Sequence, residues 1–289
     1  MNYTFDEKFE KNFIETSKQL AGVYYYLIFN SYINWENPQD LNEKINYLAF
    51  NTDTKIWTVL TDKYYVKEYI KSKKLDFLIN ETYQKWDNID EIDLTELPDS
   101  FVLKTNCSCG DIVIVKDKTD VDINEIKNHF SGVLNWRFGI ETAEPHYLNI
   151  KPCIFAEKLL EGNIIDYKVW CFNGEPYCIQ TISERNIQQN KKLMNVFDTQ
   201  WNEHKDWLNP IFQNKGTIEK PKLLNEMLYY ARILSEGFPQ VRVDFYVINE
   251  QIYFGEMTFS ASGGRLLSFT KEALLKMGKE VKIKNIDNI

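Results

Sequence analysis

The stretch Val241-Arg242-Val243-Asp244-Phe245-Tyr246-Val247-Ile248-Asn249-Glu250-Gln251-Ile252-Tyr253-Phe254-Gly255-Glu256-Met257-Thr258-Phe259 decides how this chain is read. Apolar and polar residues alternate on both sides of a turn at Asn249-Glu250-Gln251, the pattern of two antiparallel strands with one buried face. Val241, Val243, Phe245 and Val247 supply that face. With a three-residue turn centred on Glu250, Asp244 stands opposite Glu256, and both project from the other face beside Arg242 and Thr258. Two carboxylates facing each other at about 5 Å weaken a strand pair unless a cation lies between them. A hard divalent cation suits that position, Mg2+ above all where a phosphate completes its shell. Two surface carboxylates on a solvated face are the plainer reading, and a two-residue turn would send the pair to opposite faces.

Working outward, a second hairpin precedes the first. Residues 166–172 and 177–181 alternate around Asn173-Gly174, and Asn-Gly is a strong hairpin turn. Residues 220–236 carry Leu223, Met227, Tyr230 and Ile233 on one helical side, and a last helix is expected over residues 270–279. Upstream, a strand is expected over residues 153–156. Residues 101–104 and 112–115 read as strands joined by a loop of small polar residues, 105–111. Residues 62–73 predict a short helix with Asp62 as its N-cap. Residues 1–50 read as helical and aromatic-rich, broken at Asn37-Pro38-Gln39-Asp40. The order is helices, a small β-rich lobe and a larger α+β lobe, divided as 1–95, 96–155 and 156–289.

Two further sites carry chemistry. Lys104 ends the strand Phe101-Val102-Leu103-Lys104 and enters Thr105-Asn106-Cys107-Ser108-Cys109-Gly110, so its ammonium can reach phosphate oxygens while the loop closes over them. The competing reading is an edge-strand lysine that discourages aggregation. The string Phe155-Ala156-Glu157-Lys158-Leu159-Leu160, with Asp166 beyond it, offers strand-end backbone groups for an adenine edge and an acid for ribose hydroxyls, or only surface charges. Asp120-Val121-Asp122 is the single D-x-D, and Asp122 reads as a helix N-cap.

Composition excludes other classes. A net charge of −8 gives no electrostatic footprint for nucleic acid. No apolar run approaches the ~20 residues of a spanning helix, and residues 1–11 are too charged for a secretory leader. A cytoplasmic protein, not integral to a membrane, is the expectation. The five cysteines lack metal-ligand spacing and are expected as free thiols, Cys107 and Cys109 among them.

Taken in order, Lys104, Ala156-Glu157-Lys158-Leu159-Leu160, Asp166-Tyr167-Lys168, Arg242-Val243-Asp244 and Gly255-Glu256-Met257-Thr258-Phe259 resemble the ATP-grasp ligases. More narrowly the chain resembles the TupA-like ATP-grasp family of teichuronopeptide and capsular polysaccharide biosynthesis. That likeness rests also on Asn42-Glu43-Lys44, Asp62-Lys63, Val66-Lys67-Glu68-Tyr69, the run from Leu97 to Lys104, and Cys171-Phe172-Asn173-Gly174. It covers roughly residues 38–280.

The resemblance implies an α+β ATP-grasp fold, two lobes clamping ATP behind a helical N-terminal region. It implies Lys104 and Lys67 on the ATP phosphates, although the family usually has arginine at the second position. The backbone of Ala156 to Lys158 and Leu160 would meet adenine, with Glu157 near its amino group. Asp166 would take the ribose, with Lys168 beside it, and Asp244 and Glu256 would hold Mg2+. Arg242 and Arg185 would steady the transferred phosphate, alongside Lys104. The implied reaction is an ADP-forming carboxylate–amine ligation through an acyl phosphate. The carboxylate would belong to a uronic acid or related sugar, the amine to an amino acid or small amine, and polysaccharide-synthesis proteins would be contacts. A glycosyltransferase and a non-catalytic nucleotide-binding assembly protein stand as the alternatives.

Overall fold

The computed structural model describes residues 7–107, 110–134, 138–162, 164–186 and 191–283, apart from the side chains of residues 7–11, 183–186 and 191–192. Helices come first: α1 (Glu7–Phe29), α2 (Leu41–Asn51), α3 (Lys55–Thr61) and α4 (Val66–Ser72). The break at residues 37–40 has a local cause. The Asp40 carboxylate accepts the Glu43 N–H at 2.9 Å and the Glu43 carboxylate returns to the Asp40 N–H, a capping box that starts α2. The helix expected over residues 62–73 begins only at Val66, because the Asp62 carboxylate accepts the N–H groups of both Tyr64 and Tyr65 at 2.9 Å and folds the segment into a turn first.

The next elements are β1 (Thr82–Trp86), β2 (Phe101–Thr105), β3 (Ile112–Val115), α5 (Ile123–Phe130) and β4 (Ile154–Lys158). The four strands form an antiparallel sheet in the order β1-β4-β2-β3. β1 thus precedes the 96–155 span and β4 crosses its end, while β2 and β3 lie within it. Phe101, Leu103, Ile154 and Ala156 pack with Ile126 and Phe130 of α5 in one core. Val102, Lys104, Phe155 and Glu157 alternate onto the opposite face. Asp122 caps α5, its carboxylate accepting the Asn124 N–H at 2.8 Å, as expected of the lone D-x-D.

The remaining elements are β5 (Asp166–Phe172), β6 (Glu175–Asn186), β7 (Lys191–Asp198), α6 (Leu224–Ser235), β8 (Gln240–Ile248), β9 (Gln251–Thr258) and α7 (Lys271–Glu280). The sheet order is β7-β6-β5-β8-β9, all antiparallel. Asn173 and Gly174 turn β5 into β6 with φ of 52° and 82°, the left-handed pair a tight hairpin needs. Val169, Cys171, Val241, Val243, Phe245 and Met257 bury the face that packs on α6, and the same core takes in Leu41, Ile45, Leu60, Val66 and Ile70 of the N-terminal helices.

The β8–β9 turn differs from the expectation in an informative way. It is a two-residue turn, Asn249-Glu250, both left-handed with φ of 50° and 58°. From Ile248↔Gln251 the pairing runs regularly to Phe245↔Phe254, then shifts, so that Asp244 pairs with Glu256 and Gly255 is the extra residue of a bulge. Val241, Val243 and Phe245 are wholly buried, and each such side chain contributes about 1.5–3 kcal/mol. The core face therefore outweighs regular pairing, and the chain absorbs the odd residue where no side chain is needed. A Cβ on Gly255 would lie 3.0 Å from the Tyr246 ring and 3.1 Å from the Asp244 carbonyl oxygen.

Among the described residues no helix is long and apolar enough to cross a membrane.

Candidate active site

On the small sheet, the open face of β2 and β4 gathers one carboxylate between two ammonium groups. Glu157 is buried, and its oxygens meet Lys67 Nζ and Lys104 Nζ, each at 2.5 Å. Lys67 reaches in from α4 and also donates to the Thr82 hydroxyl of β1. Both ammonium groups lie over the Phe155 ring, at 5.1 and 5.3 Å from its centre, a favourable cation–π position. Desolvation pushes the Glu157 carboxyl up, but the charges of Lys104 and Lys67 outweigh it and hold the group below its ordinary range. Desolvation also lowers Lys67, against the pull of Glu157. Two cations around one anion leave this patch one positive charge in excess.

On the large sheet the balance differs. Arg242 lies across β8 and β9: its Nε donates to Asp244 Oδ1 at 2.7 Å, and its Nη2 donates to Asp244 Oδ2 at 2.8 Å, Glu256 Oε1 at 2.9 Å and the Thr258 hydroxyl at 3.1 Å. Lys168, opposite Asp244 on β5, donates to its Oδ2 and lies 3.8 Å from Asp166. Trp170 floors the cluster, 5.7 Å beneath the Arg242 guanidinium. The two carboxylates thus share a face, as the sequence pattern required, and converge on a single nitrogen. Desolvation would raise Glu256, but Lys63, Lys168 and Arg242 together hold it far below the usual carboxylate range. Burial would lower the Arg242 guanidinium, but the same carboxylates outweigh it and push it up.

Lys63 is the group that sequence reasoning missed. It is among the cations that hold the Glu256 carboxyl down, and its backbone N–H donates to the Asn106 carbonyl at 3.0 Å, two residues past Lys104. The sequence signal was the dipeptide Asp62-Lys63 within the family pattern, without a role attached.

The string around Ala156 is more constrained than its sequence suggested. The Ala156 side chain faces the core of the small sheet, and Lys158 is exposed. The Lys158 N–H donates to the Glu81 carbonyl at 2.9 Å, and its carbonyl accepts from the Asn80 amide at 2.9 Å, so these backbone groups are engaged rather than open. Glu157 is the counter-ion of two lysines. Leu160 is half-buried just beyond β4, and Asp166 is buried at the start of β5. Arg185 lies on β6 opposite Lys192, and its side chain falls outside the described residues. So does Cys109, whereas Cys107, Cys153, Cys171 and Cys178 are buried free thiols. Burial raises the Cys107 thiol to about 11.

Among the described residues no group of three or more His, Cys, Asp or Glu side chains converges as a metal site. Asp244 and Glu256 offer two carboxylates. That donor set fits Mg2+, which is held by one or two carboxylates and completes its shell with phosphate and water, and does not fit a cation caged by protein alone.

A family model described as TupA-like ATPgrasp matches residues 43–282. This chain belongs to that family. Its ATP-grasp architecture is the expected α+β fold with two antiparallel sheets. No curated protein matches the TupA-like chain in sequence. Among solved structures it is similar to a D-alanine–D-alanine ligase from Bacillus anthracis, 16% identical, covering 80% of this chain and 69% of that one with a TM-score of 0.48. A D-alanine–D-alanine ligase from Coxiella burnetii is 12% identical, covering 86% and 65% with a TM-score of 0.47. An N5-carboxyaminoimidazole synthetase from Staphylococcus aureus, complexed with ADP, is 16% identical, covering 75% and 50% with a TM-score of 0.44. The TupA-like chain thus spans from half to about two thirds of the length of these structures.

Proposed function

We propose that this TupA-like protein is an ATP-dependent carboxylate–amine ligase that forms an amide through an acyl phosphate and releases ADP. The observation that carries the reading is the pair of unlike charge clusters on the two sheets: two lysines around Glu157, and two carboxylates converging on Arg242. The first suits a polyphosphate, the second a divalent cation that travels with it. The small sheet, β1 to β4, and the large sheet, β5 to β9, then belong to the two lobes around ATP.

In this reading Lys104 and Lys67 exchange Glu157 for ATP phosphate oxygens. Backbone near Leu160 receives adenine, and Asp166 with Lys168 lies by the ribose. Asp244 and Glu256 hold Mg2+, which supplies charge neutralisation at the phosphates. A substrate carboxylate oxygen attacks the γ-phosphorus and ADP leaves. An amine then adds to the acyl carbon, gives up a proton, and phosphate departs. Phosphoryl transfer asks mainly for positioning and charge stabilisation. Arg242, with Arg185, steadies the phosphoryl oxygens, and the 105–111 loop excludes water. The carboxylate is a uronic acid or related sugar of a surface polysaccharide and the amine an amino acid or small amine. The reaction runs in the cytoplasm, in contact with other polysaccharide-synthesis proteins.

A coupled ADP-release screen across uronic acids and amines tests the reading. The expected result is ADP and phosphate release that needs ATP, a carboxylate and an amine together. Sugar transfer from a nucleotide sugar without ATP would overturn it.

A further inference from the structure

Amide formation releases a proton from nitrogen, and the carboxylates of the two charge clusters are poor acceptors for it. Glu157, Asp244 and Glu256 each bond a lysine or an arginine, which favours the charged carboxylate. Glu144 differs. It lies on the segment between α5 and β4, is buried, and accepts the Ser260 hydroxyl. Arg265 beside it donates to backbone carbonyls instead. Burial raises the Glu144 carboxyl, against the hydrogen bond from Ser260, so it holds a proton more readily than an exposed carboxyl.

Ser260 stands in line with the carboxylate pair. Glu256, Thr258 and Ser260 follow one another at every second residue, while Met257 and Phe259 between them pack in the core. The Thr258 hydroxyl donates to Glu256 Oε1 at 3.1 Å. A polar row thus runs from Glu256 along the end of β9 to Ser260, and through its hydroxyl to Glu144. Two braces fix that end of the row. Arg265 Nη2 donates to the Thr142 carbonyl at 3.1 Å and Nη1 to the Gly263 carbonyl at 3.0 Å, which ties the Glu144 segment to the turn after Ser260. The His146 carbonyl accepts the Thr58 hydroxyl at 2.7 Å. The His146 ring stands edge-on to Trp57, 5.5 Å between centres, with Nε2 3.4 Å from Ser260 Oγ. Burial lowers this imidazole to about 3, so it stays neutral and leaves the proton to Glu144.

We propose that Ser260 and Glu144 form the proton relay of the amide-forming step, Ser260 touching the attacking amine and Glu144 acting through it as the general base. This inference rests on the ligase reading above. The nitrogen lone pair forms the C–N bond to the acyl carbon, and the C–O bond to phosphate breaks with its electrons on the phosphate oxygen. The nitrogen proton passes to Ser260 Oγ as the Ser260 proton passes to Glu144. Glu144 then returns its proton through Ser260 to the departing phosphate.

The test swaps the nucleophile on the full chain with ATP and Mg2+. Glucuronic and galacturonic acids serve as carboxylates, glycine and ethanolamine as amines, and hydroxylamine as the comparison. Hydroxylamine is uncharged at neutral pH and captures acyl phosphates without a base. Glu144→Gln keeps an acceptor for the Ser260 hydroxyl but takes no proton. It should slow amide formation about 100-fold while hydroxamate formation falls less than about threefold. Ser260→Ala should show the same split, and it decides if Glu144→Gln fails to fold. Equal losses of amide and hydroxamate in both variants, or undiminished amide formation, would overturn the relay while leaving the ligase reading intact. So would wild-type protein that forms hydroxamate but joins neither amine. Wild-type protein that forms neither product would overturn both.

Discussion

Glu157 on the small sheet and the pair Asp244 and Glu256 on the large sheet are built from the same groups in opposite proportion. Around Glu157 two ammonium groups close on one carboxylate over an aromatic ring. Around Arg242 one guanidinium serves two carboxylates, again over an aromatic ring, Trp170. The first patch can release its cations to a stronger anion. The second can release its carboxylates to a stronger cation. In the proposed function each ion pair holds its site together until the opposite charge arrives, and the difference in proportion decides which ion each one accepts.

The comparison breaks most visibly at the large sheet. Asp244→Ala or Glu256→Ala should lower ADP release by more than about 100-fold in the coupled assay, since the proposed Mg2+ site would lose one of its two carboxylates. Asp244→Ala should also destabilise, because Arg242 and Lys168 keep their charge with less to balance it. At the small sheet, Glu157→Gln leaves two ammonium groups together. Denaturant unfolding should show a loss of about 3–5 kcal/mol. Saturating ATP should recover more of that loss than it adds to the wild type, because phosphates supply the missing negative charge. A loss that ATP does not reduce would contradict the exchange of Glu157 for phosphate.

The buried Asp62 carboxylate, which accepts from Tyr64, Tyr65 and Asn106, has a pH signature. Burial raises the Asp62 carboxyl from 3.8 to about 6, against hydrogen bonds from Tyr65, Tyr64 and Asn106. A carboxyl raised in the folded state binds its proton more tightly there than in the unfolded chain. Its contribution is therefore fully present below the unfolded value and is lost as pH rises towards about 6, roughly 3 kcal/mol over two pH units. Asp62→Asn removes this slope, so unfolding curves from pH 4 to pH 6 should show the variant gaining on the wild type by about that amount. The smallest effect belongs to Asp122. Asp122→Ala should cost about 1 kcal/mol as a lost N-cap and leave ADP release unchanged. A loss of activity would revive the D-x-D as a metal site.

Much of this was legible in the chain. Asn173-Gly174 gave its hairpin, and the alternation in β8 and β9 put Asp244 across from Glu256. The turn between them was misread, because a two-residue turn followed by a bulge gives the same facing as a three-residue turn. β1 went unnoticed since only Trp86 of Thr82–Trp86 is buried and the strand carries little apolar alternation. Around Ala156 the residue types suggested open backbone, but Asn80 and Glu81 come from elsewhere in the chain to engage Lys158. The contact of Asp62 with Asn106 was invisible because 44 residues separate them and no local pattern encodes it.

Gly255 sets the parity of the β8–β9 hairpin. An even turn alone would deliver Glu256 to the apolar layer under α6 and Met257 to the polar side. One inserted residue makes the count odd and exchanges them. Eleven residues separate Asp244 from Glu256, and a two-residue turn with regular pairing needs an even number to set them face to face, so the bulge at Gly255 is what reconciles the two. A residue that touches no substrate thereby decides which side of the sheet can hold a cation.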